Sequence, residues 1–150
     1  MAPTHHFEAR AIWRSDDGGM PPGNHRLELD GKPAIAASAA PQYKGDSTRA
    51  NPEELFVAAL ASCQMLSYLA LAARAGVAVQ AYEDRARGTL TIADKKMRFT
   101  EVTLRPRITL AAGSDATKAR ELVHAAHDAC FIANSVSCRV VAEPEIVVGT

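Results

Sequence analysis

The stretch LFVAALASCQMLSYLALAA, Leu55–Ala73, carries no formal charge and has a single thiol, Cys63, near its middle. Because this run is apolar on nearly every side, it predicts a helix that is buried on nearly every side. A chain of 150 residues rarely surrounds such a helix alone, so we expect a second subunit to cover part of it. The run is also close to the lower length limit for a membrane span, but its serines, glutamine, tyrosine and many alanines favour a core helix.

Capping residues mark both ends of this helix. Asn51 is a favourable N-cap, Pro52 suits the first helical position, and Glu54 stands three residues after the cap in a capping-box-like arrangement. Gly76 is a natural stop, and Arg74 is favourably placed in the last turn. The sequence therefore predicts one long helix between Asn51 and Gly76.

The composition is that of an ordinary globular protein, and 150 residues suit one compact domain, residues 1–150. Lys+Arg and Asp+Glu both total 17, so neither nucleic acid nor an anionic membrane is an expected partner. No apolar secretory-type segment opens the chain, and its 3 cysteines do not make a disulfide framework. We therefore expect reduced thiols and a cytoplasmic location.

The part of the chain before the helix is predicted to form short strands. His6–Trp13 alternates in places between apolar and polar residues, and His25–Ser38 reads as a hairpin with Asp30 and Gly31 as its two-residue turn. Between them, Ser15–Asn24 is rich in glycine and proline, which predicts a long turn.

The part after the helix is predicted to continue with strands. Val77–Ala93 and Met97–Ala111 have strand-like patterns separated by a charged turn at Asp94–Lys96. The alternation in the second of them shifts near Pro106, which indicates a sheet edge or a bulge.

The chain then alternates once more between helix and strand. Ser114–Cys130 is amphipathic and predicts a second helix with Ser114 as its cap, and Ser137–Val148 supplies the last strand or strands. The order is strands, helix, strands, helix, strand. It predicts an α+β fold and not a doubly wound parallel sheet.

The candidate chemistry lies in the cysteines. Cys63 is in the middle of the first helix and Cys130 is at the end of the second, and nothing in their spacing proves that they touch. Either thiol is also compatible with a structural role as a small buried hydrophobe. We interpret the third cysteine, Cys138, as such a structural thiol. The helix dipole disfavours a thiolate at Cys130, whereas apolar burial raises the pKa of Cys63, which then needs a nearby cation.

Two motifs carry a resemblance to a known family. NPEELFVAALASC, Asn51–Cys63, followed much later by CFIANSV, Cys130–Val136, resembles the OsmC/Ohr family of thiol peroxidases, and more closely its broader OsmC-like branch than Ohr itself. The resemblance implies an OsmC-like α+β fold, with antiparallel sheets around a long buried central helix plus a second helix. It also implies an intertwined homodimer with both cysteines in each of two interface sites.

The resemblance further implies the reduction of organic hydroperoxides without a cofactor. Cys63 would attack the peroxide and become a sulfenic acid, and Cys130 would condense with that acid to form a disulfide. An external dithiol, small or lipoyl-type, would restore both thiols. Phe56, Leu60, Leu66, Tyr68 and Phe131 are close in sequence to the cysteines and are candidates for the substrate pocket, with plain core residues as the alternative.

In the family that the chain resembles, the cation that activates the reactive cysteine is an arginine that a glutamate holds in place. Glu53 matches that glutamate, although a residue that merely compensates the helix dipole, like Glu54, is the alternative. No segment matches the arginine loop of Ohr-type members, and Arg49 and Lys44 are the nearest basic candidates. We take Arg49 as the expected cation.

Two other functions remain open from the sequence. The first is an OsmC-like dimer that binds or senses a small molecule with little peroxidase turnover. The second is a metal site formed by His124, His127 and Cys130, but three ligands on one helix without a distant fourth are weak evidence. We therefore predict no metal.

Overall fold

The computed structural model describes residues 2–16 and 23–150, so most of the predicted turn at Ser15–Asn24 lies outside the described residues. The fold is α+β, as the sequence predicts. Its elements in chain order are β1 Arg10–Ile12, β2 His25–Glu28, β3 Ile35–Ala37, α1 Pro52–Ala75, β4 Val79–Asp84, β5 Arg87–Ala93, β6 Lys96–Leu104, β7 Pro106–Leu110, α2 Ala116–Ala129, β8 Arg139–Ala142 and β9 Glu145–Val148.

The described chain separates into two compact units, Met1–Leu55 and Phe56–Thr150. In the first unit, β1, β2 and β3 form an antiparallel sheet. The predicted hairpin is confirmed, and Asp30 and Gly31 are at the centre of its turn, which is closed by a 3.0 Å bond from the Lys32 N–H to the Leu29 carbonyl. The whole connection is longer than two residues, because β2 ends at Glu28 and β3 begins at Ile35.

The predicted boundaries of the long helix are confirmed. The Glu54 N–H donates to Asn51 Oδ1 at 2.9 Å, and the Asn51 N–H donates back to Glu54 Oε2 at 3.3 Å, which is a capping box. At the other end Gly76 has a φ of +72°, and the Val77 N–H donates to the Ala72 carbonyl at 2.9 Å. A left-handed residue at this position ends the helix.

The second unit has two mixed three-stranded sheets, in the orders β4-β7-β9 and β5-β6-β8. Val77–Ala93 and Met97–Ala111 were each predicted as one strand, and this is wrong because the chain passes from one sheet to the other within each segment. The second crossing is at Arg105, whose N–H leaves the ladder and donates to Asp84 Oδ1 at 2.7 Å. Strands β8 and β9 pair in parallel with β6 and β7, so the sheets are not antiparallel throughout.

Two turn and cap predictions differ from the structure by one residue. The turn between β5 and β6 consists of Asp94 and Lys95, both left-handed with φ of 52° and 63°, while Lys96 already belongs to the strand. This is the twisted two-residue turn that strand pairs favour. The cap of α2 is Asp115 and not Ser114, because the Asp115 carboxylate accepts the Lys118 N–H at 3.1 Å.

Within one chain, α1 buries one face only. Its buried residues recur every four positions: Leu60, Gln64, Tyr68 and Ala72. Leu66 and Leu69 remain 61% and 36% exposed, so the expected burial on nearly every side is not reached by one chain. By length and composition α1 is apolar enough to cross a membrane, a property that it shares with core helices of soluble proteins.

A glycine on β5 allows close contact between α1 and its sheet. A Cβ added to Gly88 would lie 2.6 Å from Phe99 Cε1 and 2.7 Å from Val57 Cγ2. We expect Gly88→Ala to lower the free energy of unfolding by about 1–3 kcal/mol through overpacking. Chemical denaturation measures this loss, and Thr91→Ala, on an exposed position of the same strand, is the control. Equal stability of the two variants would contradict the close contact.

Candidate active site

The structure brings the two predicted redox thiols together. Cys63 lies on α1 and is half-buried, whereas Cys130 directly follows α2 and is only 1% exposed. The two side chains are close enough that a hydrogen bond from the Cys130 thiol to Cys63 shifts the pKa of both groups, and both are free thiols. The contact that the sequence spacing alone does not prove is therefore present.

A compact loop after α2 holds Cys130 in place. The Ala133 N–H donates to Cys130 Sγ at 3.4 Å, and the Asn134 N–H donates to the Cys130 carbonyl at 3.0 Å. The Asn134 side chain also donates to the Asp128 carbonyl at 3.0 Å, and the Ser135 hydroxyl donates to the Phe131 carbonyl at 2.7 Å. These local bonds fold the loop over the end of α2 and fix the orientation of its backbone.

The same loop supplies donors to Cys63. Burial raises the pKa of Cys63, but hydrogen bonds from the Cys130 thiol, from the backbone N–H groups of Ile132 and Phe131, and from the Ser67 hydroxyl outweigh it. The pKa of Cys63 therefore lies below that of an ordinary thiol. Hydrogen bonds to the charged form favour that form, so Cys63 is the better nucleophile of the pair.

Cys130 has the opposite character. Burial and its hydrogen bond to Cys63 raise the pKa of Cys130 to about 11, with a smaller opposing contribution from the Ala133 N–H. At neutral pH Cys130 is a protonated thiol with almost no access to solvent. It can act on a group that Cys63 carries, but it is poorly suited to attack an external substrate.

These hydrogen-bond donors lower the pKa of Cys63, an effect for which a cation is expected from the sequence. The groups that lower its pKa are hydrogen-bond donors of the second unit, and sequence reasoning missed them. Ser67 had a signal, because a residue four positions after Cys63 lies on the same side of a helix. The Phe131 and Ile132 N–H groups had none, because backbone direction in a loop is not readable from residue types.

Arg49 is bonded to other groups of the first unit. Its Nη1 donates to the His25 carbonyl at 3.2 Å, and its Nε lies 3.7 Å from Asp46 Oδ2. Glu53 Oε2 is buried and has no hydrogen-bond partner in the described part of the chain. Among the described residues, 2–16 and 23–150, Arg49 and Glu53 do not form an ion pair with each other. The catalytic roles of both residues stay predictions.

The predicted pocket residues fall into three groups. Leu60 and Tyr68 are completely buried core residues, and the Tyr68 hydroxyl donates to the Ala119 carbonyl at 3.0 Å. Phe56 is half-buried and stacks on Phe99 with ring centroids 4.7 Å apart. Leu66 and Phe131 are exposed, by 61% and 81%. Within one chain, only the last two offer an apolar surface to a ligand.

The alternative metal site gains no support from the geometry. Within the residues that the structure describes, no group of three or more His, Cys, Asp or Glu side chains could hold a metal ion. His124 is exposed and Cys130 is buried, so the two do not share one open site. Cys138 is half-buried and packs against the core around Leu60, as a structural thiol does.

An α+β fold with a half-exposed, hydrogen-bonded thiol on its central helix and a buried thiol after its second helix defines a class of dithiol proteins. The chain belongs to the OsmC-like protein family, which matches residues 45–145. It is 34% identical to an OsmC-like protein of unknown function from Vibrio cholerae, with a TM-score of 0.88 over 95% of this chain and 100% of that one.

Two further relatives are more distant. The structure of an organic hydroperoxide resistance protein OsmC from Legionella pneumophila has the same fold, with a TM-score of 0.73 and 20% identity over 97% of this chain and 99% of that one. The uncharacterized protein YmaD of Bacillus subtilis is 24% identical over 142 residues, which are 91% of this chain and 89% of that one. The family and the fold are therefore established.

Proposed function

We propose that this chain is a thiol peroxidase that reduces organic hydroperoxides through Cys63 and Cys130. One observation carries the proposal: the two thiols are hydrogen-bonded to each other, and their pKa values are shifted in opposite directions. A thiol with a lowered pKa beside a buried, protonated thiol is what a two-cysteine peroxidase requires.

In the first step the Cys63 thiolate attacks the terminal oxygen of the hydroperoxide. The O–O bond breaks, an S–O bond forms, and the alkoxide takes a proton and leaves as an alcohol. Cys63 is oxidised to a sulfenic acid and the hydroperoxide is reduced. The N–H groups of Phe131 and Ile132 stabilise the anionic sulfur before the attack.

In the second step the Cys130 thiol condenses with the Cys63 sulfenic acid. A disulfide forms and water leaves, so the sulfur cannot be oxidised further. The proximity of the two side chains within one chain makes this step intramolecular.

In the third step an external dithiol reduces the disulfide and is itself oxidised to a disulfide. Its thiolate reaches the half-buried Cys63 sulfur and not the buried sulfur of Cys130. A small or lipoyl-type dithiol is the proposed reductant, with no resident cofactor. Because the cycle needs reduced thiols, the reducing conditions of the cytoplasm suit it.

The proposed substrates carry an organic group and are not hydrogen peroxide. Phe131 and Leu66 expose apolar side chains on the loop after α2 and on α1, the two elements that carry the thiols. Apolar surface binds an alkyl chain and contributes little to binding hydrogen peroxide. A relative with the same fold is named an organic hydroperoxide resistance protein, which agrees with this choice.

The proposed active form is a homodimer in which the exposed apolar face of α1 meets a second copy of the chain. We expect Leu69→Lys, at another exposed apolar position of α1, to weaken self-association roughly tenfold or more, because a charge then replaces an apolar contact. Sedimentation over a range of concentrations measures the effect, and Ile92→Lys, on β5 and 72% exposed, is the control. A wild-type protein that stays monomeric at high concentration would contradict the dimer.

A second candidate function is a dimer that binds or senses a small molecule with little turnover. The unpartnered Glu53 Oε2 and the bonds of Arg49 to His25 and Asp46 favour it, because no arginine in the described chain is paired with Glu53. A steady-state assay with cumene hydroperoxide and dihydrolipoamide separates the two. A peroxidase consumes peroxide in proportion to enzyme, whereas a binder shows a ligand-dependent rise in Tm and negligible turnover.

A further inference from the structure

Two polar side chains on the buried face of α1 bond directly to the backbone of α2. Gln64 Nε2 donates to the Val123 carbonyl at 3.1 Å, and the Tyr68 hydroxyl donates to the Ala119 carbonyl at 3.0 Å. Both side chains are 0% exposed. The two donors are four residues apart on α1, and the two acceptors are four residues apart on α2 in the reverse order, so both bonds lie along one contact line.

Two such bonds restrict the helices more than one does. A single bond leaves α2 free to pivot about it, whereas two bonds one helical turn apart oppose both pivoting and sliding along α1. Gln64 is next to Cys63, and α2 ends directly before Cys130. The two bonds therefore set the position of the second thiol relative to the first.

The backbone carbonyls of α2 do not need these two bonds in order to have a hydrogen-bond partner. Val123 and Ala119 are inside α2, where their carbonyls already accept the N–H groups four residues later. Gln64 Oε1 is moreover buried with no hydrogen-bond partner among the described residues, which disfavours glutamine at this position in terms of stability. An apolar side chain of similar length would fill the space without that unpaired oxygen.

We infer that Gln64 and Tyr68 are positioning residues that hold α2 in register with α1, so that the Cys130 thiol meets the Cys63 sulfur. The inference rests on the proposed function, because it assigns the two residues to the disulfide-forming step. It differs from a packing role in one respect: replacement of Gln64 is expected to slow disulfide formation without a loss of stability.

The test compares Gln64→Met and Tyr68→Phe with the wild type. Each variant keeps the volume of the side chain and removes one donor to α2. We expect the Cys63 sulfenic acid to convert to the disulfide at least tenfold more slowly in Gln64→Met than in the wild type. The reaction is started with one equivalent of cumene hydroperoxide, quenched at successive times and measured by mass spectrometry. Its Tm is expected to equal or exceed that of the wild type. Ser62→Ala, exposed on α1 beside Cys63, is the control and should change neither quantity.

Oxidation by diamide makes the test independent of peroxidase activity. Diamide takes two electrons and two protons from a thiol pair and leaves a disulfide, so its rate reports how well Cys63 and Cys130 meet. A Gln64→Met protein that is slow with diamide and has an undiminished Tm supports the inference even if the wild type shows no turnover with hydroperoxide. If both variants form the disulfide with diamide at the rate of the wild type, the inference is wrong. It is also wrong if both variants form the disulfide slowly and both lose Tm to the same extent, because that result indicates a packing role.

Discussion

Replacement of Cys63 by serine is expected to lower the turnover of cumene hydroperoxide by roughly 10³-fold or more, because a serine hydroxyl is not ionised at neutral pH. The effect should be a loss of kcat and not of binding, since the two side chains are nearly equal in size. Coupled steady-state assays with dihydrolipoamide measure it. The lowered pKa of Cys63, which hydrogen bonds from Cys130, Ile132, Phe131 and Ser67 produce, is the physical basis of the expectation.

Cys138→Ser is the matched control for this experiment. Cys138 is half-buried, packs in the core around Leu60, and does not contribute to the bonds that lower the pKa of Cys63. Its replacement should leave turnover within about twofold of the wild type, since substitutions away from a site usually have small effects. Equal turnover of Cys63→Ser and Cys138→Ser would show that Cys63 is not the nucleophile.

The second large effect is expected at Cys130. In Cys130→Ala the Cys63 sulfenic acid has no resolving thiol, so excess hydroperoxide drives it to the sulfinic acid and steady-state turnover falls by roughly 10²-fold. The mass of Cys63 should rise by two oxygens instead of forming a disulfide. Intact-mass measurements after several equivalents of hydroperoxide detect this outcome. Sustained turnover by Cys130→Ala would exclude Cys130 as the resolving residue.

Comparison of alanine and serine at Cys130 also tests the electrostatics of the pair. Cys130 donates a hydrogen bond that lowers the pKa of Cys63, and serine keeps a donor whereas alanine does not. The pKa of Cys63 should therefore be higher in Cys130→Ala than in Cys130→Ser. The first oxidation step should be slower in the alanine variant near pH 7, and the difference should vanish at a pH above both pKa values. Stopped-flow rates across this range measure it.

The helices were predictable because their signals are local. Asn51, Glu54 and Gly76 mark the ends of α1 by side-chain chemistry and backbone freedom that do not depend on distant residues. The strands were harder, because a strand pattern does not say where the chain leaves one sheet for another. The crossing at Arg105 depends on a bond to Asp84, twenty-one residues away, which no local pattern shows.

The candidate site was predictable only in part for a similar reason. The motifs around Cys63 and Cys130 indicated the pair, and a hydrogen bond from Cys130 is one of the causes that lower the pKa of Cys63. The donors that lower the pKa of Cys63 come from a loop whose backbone direction is set by bonds among Asn134, Ser135 and Cys130. The expectation that a cation is needed followed from apolar burial, from the small effect of the helix dipole at a mid-helix position and from the family resemblance, and it left out these donors.

The most direct measurement is a thiol count and disulfide map by mass spectrometry, before and after one equivalent of an organic hydroperoxide. We expect three free thiols before oxidation, as the structure shows, and a rapid Cys63–Cys130 disulfide after it that is absent in Cys63→Ser. Cys138 should remain free throughout. Three thiols that are still free after minutes with hydroperoxide would contradict the peroxidase function and leave a binding or sensing role for the pair.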